Sequence, residues 1–119
     1  MAGEGSREGA AAESGSSPEG PRVLPVYRRV LLKVSGEGFC REGARGVDID
    51  ETQVMAREIA AAARLGVHMA VVVGGGNIVR GAELHERGIT QATGDYMGMV
   101  ATVVNALALQ DVLEKMGVP

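Results

Sequence analysis

At 119 residues, with 45% hydrophobic and only 3% aromatic side chains, the chain has the size and balance of one small domain or part of a larger one. A formal net charge of -3 leaves no basic surplus for gripping a nucleic-acid backbone, and a single cysteine, Cys40, excludes a disulfide framework and a cysteine-built metal site. Cysteine usage of this kind suits a reducing cytoplasm.

Residues 1–25 are dominated by Gly, Ser, Ala, Glu and Pro. They carry too few large apolar side chains to offset the entropy of ordering, so a disordered tail is expected. The tail has no apolar segment of the secretory type, and its acidic residues argue against a mitochondrial transit peptide.

Val30-Leu31-Leu32-Lys33-Val34 reads as a first strand, running into a tight loop at Ser35-Gly36-Glu37-Gly38. An ammonium near the end of a buried strand is costly unless it meets an anion. Lys33 therefore reaches past the carboxyl edge of the sheet, pairs with an acid, or packs its stem while its head finds water. With the Ser35 hydroxyl and the bare Gly36 N–H beside it, Lys33 makes a phosphate cradle. From Phe39 to Asp48, a loop with Gly43, Gly46 and mixed charges is expected to be exposed and mobile.

Asp50, with Gln53 three residues on, reads as the N-cap of a helix that stops at Gly66. Val54, Met55, Ile59, Ala62, Ala63 and Leu65 form its packing face, with Glu51, Arg57, Glu58 and Arg64 on the wet side. A strand over Val67–Val73 follows at once, and strand, helix, strand marks a parallel crossover. His68 and His85 do not stand at ligand spacing and read as structural or solvated.

Val71-Val72-Val73 runs straight into Gly74-Gly75-Gly76, a buried strand ending in nearly bare backbone. Asn77 reads as an N-cap, and Arg80 as a guanidinium one turn into a short helix where it could hold a phosphate bidentately. Ligands of open parallel sheets bind outside the carboxyl ends of strands, so the Lys33–Gly36 and Gly74–Asn77 loops should line one crevice. Two bare-backbone loops, a lysine and an arginine describe a polyphosphate site. It is not a P-loop, because the lysine precedes its glycine. It is not a dinucleotide fingerprint either, because position 79 is Val.

From Tyr96 to Gln110 there is no charged residue, and Met97, Met99, Val100, Val103, Val104, Leu107 and Leu109 spread around the helical circumference. The segment is short for a bilayer, so a helix buried on more than one side is expected. One face covers the sheet. The other meets the rest of the domain or a second subunit, with a dimer contact favoured. Asp95 reads as its N-cap or as an acid for a sugar hydroxyl, and Gly117 closes the helix.

Lys33-Val34-Ser35-Gly36-Glu37, the run Val71 to Gly81, and Gly94-Asp95-Tyr96-Met97-Gly98-Met99-Val100-Ala101-Thr102 with Asn105-Ala106-Leu107 together resemble bacterial uridylate (UMP) kinases of the amino acid kinase superfamily. The likeness covers residues 26–119. The first two loops indicate the superfamily, and the third segment separates UMP kinases from acetylglutamate, aspartate and glutamate 5-kinases. The resemblance implies an α/β fold, three-layer αβα with a mostly parallel sheet, of which this chain is the N-terminal part. It implies ATP-dependent phosphorylation of UMP to UDP with magnesium, in a cytoplasmic homohexamer built from dimers, without nucleic-acid or membrane partners.

By the same resemblance Lys33 and Arg80 are catalytic. Lys33, Val34, Ser35, Gly36, Gly76 and Arg80 contact ATP, Gly75 and Asp95 contact UMP, and no metal ligand falls in this stretch. Arg41–Gly46 is a weak candidate for regulation, by association with GTP activation in some members. Family members are much longer, and the missing half would carry the base pockets and the acids around magnesium. The chain is therefore expected to be a fragment that does not turn over alone, marginal in stability and prone to aggregate. Two other readings share parts of the pattern: another small-molecule kinase of this fold, and a non-catalytic protein binding nucleotides or oxyanions.

Overall fold

A computed structural model describes residues 24–119. The expected tail, 1–25, lies outside the described residues except for Leu24 and Pro25. Strand β1 spans Arg29–Val34, a 3-10 turn Gly36–Phe39, helix α1 Ile49–Ala63, strand β2 His68–Val73, helix α2 Gly81–Glu86 and helix α3 Gln91–Lys115.

The two strands pair in parallel, Arg29 opposite His68 through Val34 opposite Val73. Period-2 alternation divides each strand between two faces. Leu32, Val34, Met69, Val71 and Val73 pack against a core of Phe39, Ala56, Ile59, Leu109 and Val112, so α1 and α3 lie on the same side of the sheet. Leu31, Lys33, His68, Ala70 and Val72 are exposed on the other face, which no described helix covers. Among the described residues the architecture is thus a parallel β-α-β unit with one helical layer.

Several local expectations are corrected. The N-cap of α1 is Asp48, not Asp50: its Oδ1 accepts from the Asp50 and Glu51 amides at 2.8 and 3.2 Å. Its carbonyl also takes the Thr52 amide and hydroxyl, at 2.9 and 2.8 Å. Starting the helix two residues earlier fixes which side faces inward: Thr52, Ala56, Ile59 and Ala60 are buried, while Val54 and Leu65 are half exposed.

The Phe39–Asp48 loop is anchored. Phe39 and Cys40 are buried at its start, the Asp48 amide donates to the Phe39 carbonyl at 2.7 Å, and the Gly46 amide donates to the Asn77 carbonyl at 2.8 Å. Only its middle is exposed. Helix α3 begins at Gln91 with Thr90 as N-cap, its Oγ1 accepting from the Thr93 amide, so Asp95 sits inside the helix and caps nothing.

At 25 residues α3 is longer than the uncharged stretch suggests, and by length and composition alone it is also apolar enough to cross a membrane. Its contacts make it a packing helix: Ala101, Asn105, Leu109 and Val112 are buried against the rest of the fold. Its opposite side is open, with Tyr96, Met99, Val100, Val103 and Leu107 more than half exposed. It is therefore covered on one side only within the described residues. It ends at Met116, with Gly117 at φ +82° as expected of a helix stop.

Candidate functional site: two loops at the carboxyl edge of the sheet

Parallel register delivers the two loops side by side, because β1 and β2 end opposite one another at Val34 and Val73. The Gly74 amide extends the ladder by donating to the Val34 carbonyl at 2.9 Å. Beyond that point the loops touch as backbone. A Cβ built on Gly36 would stand 2.7 Å from both Asn77 Oδ1 and the Gly76 nitrogen, and one on Gly74 would stand 3.0 Å from the Gly36 nitrogen. Gly75 is pressed on α3 instead, its absent Cβ 2.9 Å from Ala101 Cβ and 3.0 Å from the Gly98 carbonyl.

Gly76 is different. No atom lies within 4 Å of where its Cβ would be, and its φ is outside the left-handed region. Neither packing nor backbone geometry requires a glycine there. Its backbone is open to approach from outside the described residues, in a pair of loops where Gly36, Gly74 and Gly75 are all in close contact.

The side chains around the loops are cationic and anionic in pairs. The Ser35 hydroxyl caps the 3-10 turn, accepting from the Glu37 amide at 3.2 Å. The Arg80 guanidinium donates through Nη2 to the Glu37 carboxylate and through Nε to the Gly76 carbonyl at 3.3 Å. Arg80 precedes α2 as its N-cap residue rather than lying one turn inside, and it makes no side-chain cap bond. An exposed pair such as Arg80–Glu37 is worth about 1 kcal/mol at most, so a phosphate could displace the carboxylate. A polar cleft of about 300 Å³ opens beside it, bounded by Glu37, Arg41, Arg45, Gly76, Arg80 and Glu83, with Arg45 bonded to Glu83 at 3.0 Å. Arg41–Arg45, within the Arg41–Gly46 stretch, form one wall of this cleft.

Lys33 stands one position before Val34 on the uncovered face, exposed, with no carboxylate of the described residues within ion-pair distance. It reaches outward and pairs with no acid there. Asp95 is exposed on α3 next to Gly81, with its Oδ1 3.7 Å from where a Gly81 Cβ would stand. That contact puts Asp95 alongside the residue following Arg80. Ser35, Gly36, Gly76 and Arg80 are therefore brought together, Gly75 and Asp95 meet opposite stretches of α3 and α2, and Lys33 stays on the sheet.

Asn77 is not an N-cap. It is buried, donating through Nδ2 to the Gly46 carbonyl at 2.9 Å and to Asn105 Oδ1 at 3.0 Å. Asn105, also buried, donates back to Asn77 Oδ1 and to the Gly74 carbonyl, both at 2.7 Å. The reading by segments missed this pair because its members are 28 positions apart. An asparagine inside an otherwise uncharged apolar helix was its one visible sign.

A parallel β-α-β unit with two backbone loops meeting at the carboxyl edge of its sheet defines an open-sheet α/β protein. Residues 28–119 match the model of the amino acid kinase family, and the chain belongs to that family. It is 59% identical over 93 residues to the uridylate kinase of Streptomyces avermitilis, covering 78% of this chain and 37% of that relative. To the uridylate kinase of Methylococcus capsulatus it is 50% identical over 95 residues, covering 80% and 40%. Among solved structures, a UMP kinase from Bacillus anthracis matches with a TM-score of 0.70 at 35% identity, over 75% of this chain and 36% of that one. A UMP kinase from Ureaplasma parvum matches with a TM-score of 0.69 at 30% identity. The chain spans about two fifths of the length of the curated relatives it matches.

Proposed function

We infer that the chain supplies the phosphate-holding edge of an ATP-dependent UMP kinase. The observation that carries this is Gly76, a glycine that nothing among the described residues requires, set in a loop beside Arg80 and against Gly36. Phosphoryl transfer asks a protein for positioning and for positive charge on the equatorial oxygens, with little covalent chemistry. In this reading the amides near Gly36 and Gly76 receive the ATP phosphates, flanked by Val34 and Ser35. Arg80 exchanges Glu37 for a phosphate oxygen, and Lys33 neutralises the transferring group. Gly75 and Asp95 face the UMP side. A phosphate acceptor already ionised near neutral pH needs no general base.

Among the described residues no group of three or more His, Cys, Asp or Glu side chains stands together as a metal site, and the magnesium that accompanies ATP would be held largely by the phosphates themselves. The chain's own contribution is the cationic and backbone one. A cytoplasmic oligomer fits the reading as well, with the open side of α3 as the contact between copies.

The test is a coupled ADP-release assay on a hybrid in which residues 28–119 replace the matching segment of the Streptomyces avermitilis uridylate kinase, with UMP, CMP, AMP and acetylglutamate as acceptors. Preference for UMP is the expected result. Turnover with another acceptor alone would move the chain to a different kinase of the same fold, and ATP binding without turnover would favour a binding protein.

A further inference from the structure

Asn77 and Asn105 are two neutral amides placed in an apolar core, where burial without partners is costly. Here every donor is used. Four N–H bonds leave the two side chains, two exchanged between the amides and one each to the Gly46 and Gly74 carbonyls. The network also fixes the orientation of each amide, because flipping either would set donor against donor and oxygen against oxygen.

The partners of the pair are specific to the glycine loop. Asn105 holds the Gly74 carbonyl at the loop's entry, and Asn77 is the residue at its exit, so only Gly75 and Gly76 lie between the two held ends. Asn77 Oδ1 also lies against Gly36, so the distance between the two loops is set by the same atom. Through the Gly46 carbonyl the pair further holds the residue that follows the Arg41–Arg45 wall of the polar cleft. A buried polar network that is fully satisfied fixes one arrangement of its neighbours, where apolar side chains would allow several.

We propose that Asn77 and Asn105 are positioning residues: a buried amide clasp that holds the glycine loop, with the Gly76 backbone free, in the geometry that receives a nucleotide's phosphates. This rests on the nucleotide reading above. Neither side chain touches the phosphates; both act through the loop.

The experiment is an ATP titration, by calorimetry, of the hybrid enzyme carrying residues 28–119 and of its Asn105→Ala variant, each at a temperature well below its own melting midpoint, so that only folded protein is compared. With the loop's entry released, the dissociation constant for ATP is expected to rise about tenfold or more. A residue with a merely structural role would lower the midpoint and leave the affinity of the folded chain unchanged, and that result would overturn the proposal alone. Absence of ATP binding by the unaltered hybrid would overturn the nucleotide reading and this proposal with it. If the variant does not fold, carboxamide hydrogen exchange of Asn77 and Asn105 in the unaltered hybrid decides, because coupling is reciprocal. ATP should slow it about tenfold. Exchange unmoved by saturating ATP would contradict the clasp.

Discussion

Replacing Gly36 by Ala drives a Cβ to 2.7 Å from Asn77 Oδ1 and the Gly76 nitrogen, and neither of those atoms can retreat, since one is hydrogen-bonded in the core and the other is backbone. Such overpacking should cost about 1–3 kcal/mol. Gly76→Ala meets open space and should leave the melting midpoint unchanged or slightly raised, because Ala narrows the unfolded ensemble by about 0.4–1 kcal/mol. Thermal melts beside ATP titrations should therefore separate them: Gly36→Ala loses stability, and Gly76→Ala loses nucleotide affinity only. A Gly76→Ala protein that binds ATP normally would remove the main support for the site. The glycines were legible in the sequence as a group, but their separate purposes were not. Gly36, Gly74 and Gly75 are bare so that loop can meet loop and helix, and that depends on which segments the fold sets in contact.

The strands, the first helix and the long last helix all follow from hydrophobic period and from glycine stops, and the structure places them within a few residues of expectation. Starts were harder to read than stops. Around α1 the sequence points to Asp50, but the cap is Asp48, whose extended backbone, φ -101° and ψ 119°, lets one side chain take two amides. Asp48→Ala should cost about 1 kcal/mol in urea unfolding, and Asp50→Ala a few tenths. Equal costs would restore Asp50 as the cap. For α3 the uncharged run concealed an added turn, because Thr90 caps well and Gly94 is tolerated where it packs against Gly81. Of the Asn77–Asn105 clasp the sequence shows only an asparagine within an apolar helix, since a hydrogen bond across 28 positions is a property of the tertiary fold.

Among the described residues two surfaces with large exposed apolar side chains are open, the sheet face with Leu31 and Val72 and the outer side of α3 with Tyr96, Val100 and Leu107. Open surfaces of this kind on a small α/β unit favour association. Leu107→Lys should change stability by no more than about 0.5 kcal/mol, since the residue is 60% exposed. In sedimentation it should shift the chain toward smaller species. No shift would exclude this side of α3 as the contact between copies. The uncovered sheet face also carries Lys33, whose substitution tests the site most cleanly because the side chain is exposed and unpaired among the described residues. The decisive measurement is kcat for ADP release with UMP in the hybrid enzyme, before and after Lys33→Ala. A fall of about 10²–10³ with the melting midpoint unchanged is expected when a charge that stabilises the transferring phosphoryl is removed. An unchanged kcat would contradict the assignment of this sheet edge to phosphoryl transfer.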